Sequence, residues 1–321
     1  MISVVMPAYN SAQFISEAIE SILNQTFCDF ELLIVDDGST DDTLSIASKY
    51  AERDSRARLI QSGHGGASRA RNTAIEHAKY DWIALMDADD VSLPDRFEKQ
   101  LAAACNNPRV VAWGTYAFVI NSLGQRLGFS KTGPTTEEEF HELRSGNQLA
   151  TVITATALMK KVAFMQVGPY DPFFDPTEDI ELFERLATIG PILAVPEPLY
   201  LRRIHKSNVT TQRFLLNRAQ TRYVRARQSA RVLGTTLPTY QDFICASKSE
   251  PLLKRVRRRL DDLSQYNYRK SAIEYAEGNY VRWLFKSALS VFLYPKYALR
   301  RAWSQKFSPE AQRWLVEKSS S

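Results

Sequence analysis

Asp87, Asp89 and Asp90 close the apolar run Trp82 to Met86 with a set of acceptor-only oxygens. Carboxylates this close repel one another unless a cation joins them, and hard divalent ions such as Mg²⁺ or Mn²⁺ suit oxygen ligands of this kind. A solvated acidic turn is the other reading of the same spacing. Asp36 and Asp37 end a second apolar run, where carboxylates can accept from a base N–H or from ribose hydroxyls. Tyr9 follows Pro7 at the end of a third. Arg69 and Arg71 come after the loop Gly63-His64-Gly65-Gly66, and backbone N–H groups at a helix start beside an arginine favour an anion. Glu178 and Asp179 precede Ile180-Glu181-Leu182. There they can serve as acids at a helix N-terminus, stabilised by the dipole, or as a proton acceptor.

The elements that must position these groups alternate. Ile2 to Met6 is an apolar strand closed by Pro7, and Ile15, Ala18, Ile19, Ile22 and Leu23 recur at helical spacing. Glu31 to Val35 is the next strand, followed by a helix that Thr40 is expected to cap. Leu59 and Ile60 mark a third strand, Ala67 to Ala78 a helix, and Trp82 to Met86 a fourth strand. Strands separated by such helices give a parallel sheet with right-handed crossovers, and ligands bind at its carboxyl edge. Val110 to Ile120, followed by a turn at Asn121 to Gly124, makes the sheet mixed. Thr135 to Leu143 reads as an acidic helix and Thr151 to Met159 as a β-branched run, buried or lining a cleft. The apolar runs Ile192 to Val195 and Leu199 to Leu201 bracket Pro196 and Pro198.

Hydrophobic residues make up 44% and charged residues 24%, the composition of an ordinary globular core. The three cysteines, Cys28, Cys105 and Cys245, form no CxxC pair, which argues against a zinc site or a disulfide framework. A strand beginning at Ile2 leaves no room for a signal peptide, and no apolar run reaches the roughly 20 residues a membrane span needs. The net charge of +5 is unevenly spread. Residues 1–212 hold 19 Lys+Arg against 28 Asp+Glu, and residues 213–321 hold 22 against 8. Two parts with different partners are expected: a catalytic domain at 1–212 and a basic α-helical region at 213–321.

Taken in order, Pro7-Ala8-Tyr9-Asn10, Val35-Asp36-Asp37-Gly38-Ser39, Gly66 to Asn72, Asp87-Ala88-Asp89, Glu178-Asp179, and Arg203-Ile204-His205 with Asn208 resemble the inverting family 2 glycosyltransferases of bacterial surface polysaccharide assembly. The resemblance runs from about Ile2 to Thr210. It implies the GT-A fold: an α/β, Rossmann-like, mostly parallel mixed sheet flanked by helices. It also implies transfer of a sugar from a nucleotide-sugar, typically a UDP-sugar, to a hydroxyl of a saccharide acceptor, often lipid-linked. Carried onto this chain, the family pattern places Pro7, Tyr9, Asp36, Asp37, Arg71 and Asp87 on the donor. It makes Asp89 and His205 the ligands of Mn²⁺ or Mg²⁺, Asp179 the base, and Glu178 its partner, which orients it or contacts the acceptor. Such enzymes work in the cytoplasm, often peripheral at the inner face of the membrane.

The family pattern stops near Thr210. In the basic remainder Arg218, Arg222, Arg225 and Arg231 recur, Lys254 to Arg259 form a cluster, and Trp283, Leu284, Leu289 and Phe292 interleave with cations. An anionic membrane surface suits that pattern, and a subdomain packed on the acidic part suits it as well. Nucleic acid ranks below both, because no recognition motif accompanies the charge. Two further readings stay open for the whole chain: a catalytically silent nucleotide-sugar-binding subunit, and a sugar nucleotidyltransferase. The second lacks the glycine-rich basic loop it would need after the first strand.

Overall fold

Strands buried on both faces are mostly apolar, and a polar side chain among them needs a partner, as Ser3 of the first strand finds in Glu31 of the second at 2.7 Å. In a computed structural model that describes residues 1–206 and 209–297, β1 (Ile2–Ala8) is buried except at Pro7, and β2 (Phe30–Asp36) is buried throughout. Asn208 of the last sequence motif lies outside the described residues. α1 (Ile15–Leu23) buries Ile15, Ala18, Ile19 and Ile22, the stripe its spacing implies. α2 (Thr43–Arg53), β3 (Ala57–Gln61), α3 (Ala67–His77) and β4 (Trp82–Leu85) complete the parallel part. β1 pairs in parallel with β2 and β4, and β2 with β3, which brings Ala8 opposite Asp36. Thr40 does not cap α2. Its N–H donates to Asn10 Oδ1 at 2.8 Å, while the Asp41 carboxylate takes the Thr43 N–H at 3.0 Å, so the helix starts at Thr43.

β5 (Val91–Ser92), α4 (Arg96–Asn106), β6 (Ala112–Ile120), β7 (Arg126–Ser130) and α5 (Glu137–Ser145) follow. A 3-10 turn at Thr154–Thr156 leads into β8 (Leu158–Lys160), which runs antiparallel to β4 and β6. α6 (Lys161–Val167), α7 (Glu178–Leu186) and β9 (Ile192–Arg203) come next. The strand order is β3-β2-β1-β4-β8-β6-β9-β5, with β7 paired to β6. β9 is one strand of 12 residues that joins the two apolar runs across Pro196 and Pro198. Both prolines precede Tyr200 and Leu201, which pair with β5, so neither has to supply an N–H to that ladder.

The chain forms two compact units, residues 1–117 with 131–202, and residues 118–130 with 203–321. The second contains α8 (Val209–Gln212), α9 (Phe214–Val232), α10 (Tyr240–Ser249), α11 (Leu252–Ala276) and α12 (Tyr280–Leu293). Much of its charge is used internally. Arg218 donates to Asp261 at 2.7 Å and to Asp262 at 2.9 Å, and Arg222 to Asp262 at 2.8 Å, tying α9 to α11. Ser264 and Ser290 exchange hydrogen bonds at 2.8 Å between α11 and α12. Among the described residues no helix is long and apolar enough to cross a membrane.

Candidate functional site

The carboxyl ends of β1, β2 and β4 lie side by side, so Tyr9, Asp36–Asp37 and Asp87–Asp90 are brought to one edge of the first unit. At the end of β4, one ligand oxygen from each of Asp87, Asp89 and Asp90 lies within 4.8 Å of the others. Asp90 is buried and the other two are half-buried. A scaffold behind this triplet holds it in place. The Asp87 N–H donates to Tyr200 Oη at 3.3 Å. Arg96, wholly buried, donates to Leu85 O at 2.9 Å and to Gln100 Oε1 at 3.1 Å. Burial pulls the Arg96 pKa down to about 10, opposed by Tyr200, Asp87 and Asp90.

Arg71 of α3 links two of the sequence candidates. Its Nη1 donates to Glu178 Oε1 at 2.6 Å and its Nη2 to Asp87 Oδ1 at 3.2 Å, although Glu178 lies 107 residues away. Burial works against its charge, but Glu178 and Asp87 hold its pKa well above the ordinary value. Asp87 is raised by burial, drawn back by Arg71 and raised again by Asp89 and Asp179. Glu178 is pushed up to about 7 by burial, against the pull of Arg71, with Asp179 and Asp175 adding repulsion. Its Oε2 has no hydrogen-bond partner among the described residues. Asp179 stands beside it at the start of α7, where its Oδ1 takes the Ile180 N–H at 2.7 Å and its Oδ2 a hydrogen bond from Thr154 Oγ1. The side chain is half-buried.

A folded-state pKa of about 7 for Glu178 carries a sign. The native state retains a proton that the unfolded chain has already lost above about 4.5, so this group's contribution falls as pH rises between those values. Glu178→Gln is therefore expected to narrow any melting-temperature deficit, or widen any gain, relative to wild type from pH 4.5 to pH 7. Melting curves in a pH series check this, and a difference that stays constant would refute it.

Asp36 and Asp37 part company. Asp37 spends both oxygens on the glycine loop, accepting from Gly65 N and Gly66 N at 2.8 Å each. The loop N–H groups expected to meet an anion thus meet a carboxylate of this chain. Gly66 has φ +87°, and a Cβ there would stand 2.7 Å from Asp175 Oδ2, so that position needs glycine. Asp36 accepts from Ser39 N at 3.2 Å through Oδ2, while its Oδ1 is buried and has no hydrogen-bond partner among the described residues. An orphaned acceptor of that kind costs free energy unless a ligand supplies a donor. Tyr9 is exposed, its ring centroid 4.3 Å from that of His64 and tilted 31° to it. Pro7 sits within β1 opposite Val35.

His205 follows β9 in the second unit and is half-buried. Its neighbour Arg203 is buried and donates to Asn121 O at 3.1 Å, fastening the turn between β6 and β7. Four residues at the first unit's edge were not singled out in the sequence: Thr154, Tyr170, Tyr200 and Arg96. Tyr170, buried beside Arg71 at 5.8 Å, is held through its backbone by the Asn72 side chain at 2.8 and 2.9 Å. Asn72 belongs to the Gly66 to Asn72 motif, which was the available signal.

A sheet of this order with acidic strand ends is the GT-A glycosyltransferase architecture. Residues 1–349 of S. aureus TarS, solved in complex with UDP-GlcNAc, superpose with a TM-score of 0.58 at 17% identity, covering 96% of this chain and 93% of that one. Residues 3–168 match the family described as Glycosyl transferase family 2, and the chain belongs to it. It is 31% identical over 232 residues to glycosyltransferase GlyG of Streptococcus pneumoniae serotype 4, covering 68% of this chain and 76% of GlyG. It is 35% identical over 123 residues to an Escherichia coli enzyme, UDP-Glc:alpha-D-GlcNAc-diphosphoundecaprenol beta-1,3-glucosyltransferase WfgD, covering 38% of this chain and 48% of WfgD. The chain spans about a quarter (24%) of a larger relative, the hyaluronan synthase of Pasteurella multocida.

Proposed function

We propose that this glycosyltransferase moves a sugar from a UDP-sugar to a hydroxyl of a lipid-linked saccharide acceptor, with inversion, in the assembly of a cell-surface polysaccharide or lipopolysaccharide. The observation that carries the reading is the continuous network Asp87–Arg71–Glu178 with Asp179 beside it. It places a carboxylate triplet and a second acidic pair at one edge. The donor class is supported by the TarS complex and the acceptor class by the name of WfgD.

Asp36, through its orphaned Oδ1, takes an N–H or hydroxyl of the nucleoside, and the Tyr9–His64 pair offers the base an aromatic face. Asp37 acts one step back, by fixing the loop before α3. The Asp87, Asp89 and Asp90 oxygens fit a hard divalent ion in number, type and spacing. Asp89 would hold it, with Asp87 close to the ribose or to a bound water. When bound, Mn²⁺ or Mg²⁺ acts as a Lewis acid that offsets charge on the diphosphate. In the transfer, the acceptor oxygen bonds to the anomeric carbon while the bond from that carbon to the diphosphate oxygen breaks. Asp179 takes the hydroxyl proton, and the nucleoside diphosphate leaves with the bonding pair. Thr154 and the Ile180 N–H hold the Asp179 carboxylate in place for this.

A panel of UDP-, GDP- and dTDP-sugars, read by saturation-transfer NMR and slow hydrolysis with Mn²⁺ or Mg²⁺, tests the reading. One donor is expected to bind and turn over in a metal-dependent way, and Asp89→Ala is expected to lose at least tenfold in that metal dependence. Absence of binding by every nucleotide sugar would refute the proposal.

A further inference from the structure

α10 and α11 of the second unit border an open cavity of about 500 Å³. Among its lining residues from α11, Leu252, Arg255, Val256, Arg259 and Leu260 stand at i, i+3, i+4, i+7 and i+8 and so share one helix face. From α10 come Ile244 and Lys248, one turn apart. The cations that line the cavity fall into two sets. Arg222 is matched by Asp262, and Arg258 by Glu250. Lys248, Arg255 and Arg259 have no ion pair or side-chain hydrogen bond among the described residues. The apolar residues between them are open to solvent: Leu252 is 70% exposed, Val256 46% and Leu260 38%, and the adjoining Leu253 reaches 84%. α12 of the same unit also exposes Val281, Phe285 and Phe292.

We infer that this face of α10 and α11 is a docking site for the anionic surface of a phospholipid bilayer, with Lys248, Arg255 and Arg259 on lipid phosphates and Leu252, Leu253 and Val256 at the acyl boundary. Cations and aliphatic side chains on one helix face match a surface that is anionic above and apolar beneath. A free phosphate would engage the cations and leave the leucines in water. Nucleic acid would do the same, since its backbone offers the aliphatic side chains nothing apolar. The charge of residues 213–321, 22 Lys+Arg against 8 Asp+Glu, has the sign an anionic leaflet attracts. The inference stands apart from the sugar-transfer reading, because it uses no residue of the first unit.

The test is sedimentation of the full chain with vesicles of phosphatidylcholine alone and of phosphatidylcholine with phosphatidylglycerol, at low salt. Wild type is expected to bind the anionic vesicles and to ignore the neutral ones. Lys248→Gln/Arg255→Gln/Arg259→Gln is expected to bind about a hundredfold more weakly, since each cation at an anionic surface is worth roughly fivefold. Leu252→Ser/Leu253→Ser, which keeps every charge, is expected to weaken binding as well. A control that removes three exposed cations of the first unit, Lys49→Gln/Arg53→Gln/Lys79→Gln, is expected to bind as wild type does. The triple variant of α10 and α11 is expected to keep the circular-dichroism spectrum and melting temperature of wild type, which shows an intact fold without reference to the donor screen. The inference is overturned if wild type ignores anionic vesicles, or if the two triple variants lose affinity equally. It is also overturned if inorganic phosphate or a DNA duplex binds at this face while vesicles do not.

Discussion

Asp179→Asn is expected to lower kcat by about 10²–10⁴-fold, the usual range for loss of a positioned proton acceptor, with donor affinity unchanged within about twofold. The asparagine is nearly isosteric. Its amide oxygen can still take the Ile180 N–H that Asp179 Oδ1 takes at 2.7 Å, so the start of α7 should persist. What the variant lacks is a basic oxygen for the acceptor proton. A loss confined to kcat marks an interaction made only as the reaction proceeds. The split between kcat and donor affinity is the informative part. If Asp179 served only as an acid at the helix N-terminus, its neutralisation would cost about 0.3–1 kcal/mol of stability and leave turnover nearly intact. Steady-state kinetics with the donor found by the screen, together with isothermal titration of the same donor, separate the two. Wild-type turnover in the asparagine variant would remove Asp179 from the mechanism.

The sequence exposed the parts of this site that depend on local pattern. β1, β2 and β4 are mostly apolar runs, and each leads into a residue type that chemistry can use, so both the strands and their reactive ends could be read together. Contacts across long stretches of chain were not legible. Nothing in Asp37 announces that Gly65 and Gly66, 28 and 29 residues on, will take both its oxygens. Asp36 and Asp37 are the same residue type at adjacent positions. One ends as a loop anchor and the other with an orphaned acceptor, and only the fold distinguishes them. Arg203 shows the same limit: nothing in the motif Arg203-Ile204-His205 announces that its guanidinium donates to the carbonyl of Asn121. Short elements such as β5 and β8 went unseen because two or three residues carry no period. The scaffold behind the triplet, Arg96 and Tyr200, gave no signal beyond residue types that are ordinarily placed at the surface.

Arg71→Met is expected to destabilise the first unit by about 3–5 kcal/mol, the usual cost of removing one partner of a buried ion pair. The side chains of Arg71 and Glu178 are 8% and 9% exposed, so water cannot replace the lost charge at Glu178. Asp87, at 38%, can be partly rehydrated and should contribute less. The melting temperature should fall by roughly 10 °C at neutral pH, taking about 2–4 °C per kcal/mol for a protein of this size. The loss should be smaller at pH 5 than at pH 8. Glu178 already titrates near 7 with Arg71 beside it; without that charge its pKa moves further up, and a protonated Glu178 needs no counter-charge. Adding Glu178→Gln to Arg71→Met should therefore restore part of the stability at pH 8 and little at pH 5. Arg71→Lys should recover stability better than activity, because one ammonium cannot hold Glu178 and Asp87 together as the two ends of a guanidinium do. An Arg71→Met protein that melts with wild type at pH 8 would show that the Glu178–Arg71–Asp87 chain is not what holds the acidic pair of α7 beside the triplet of β4.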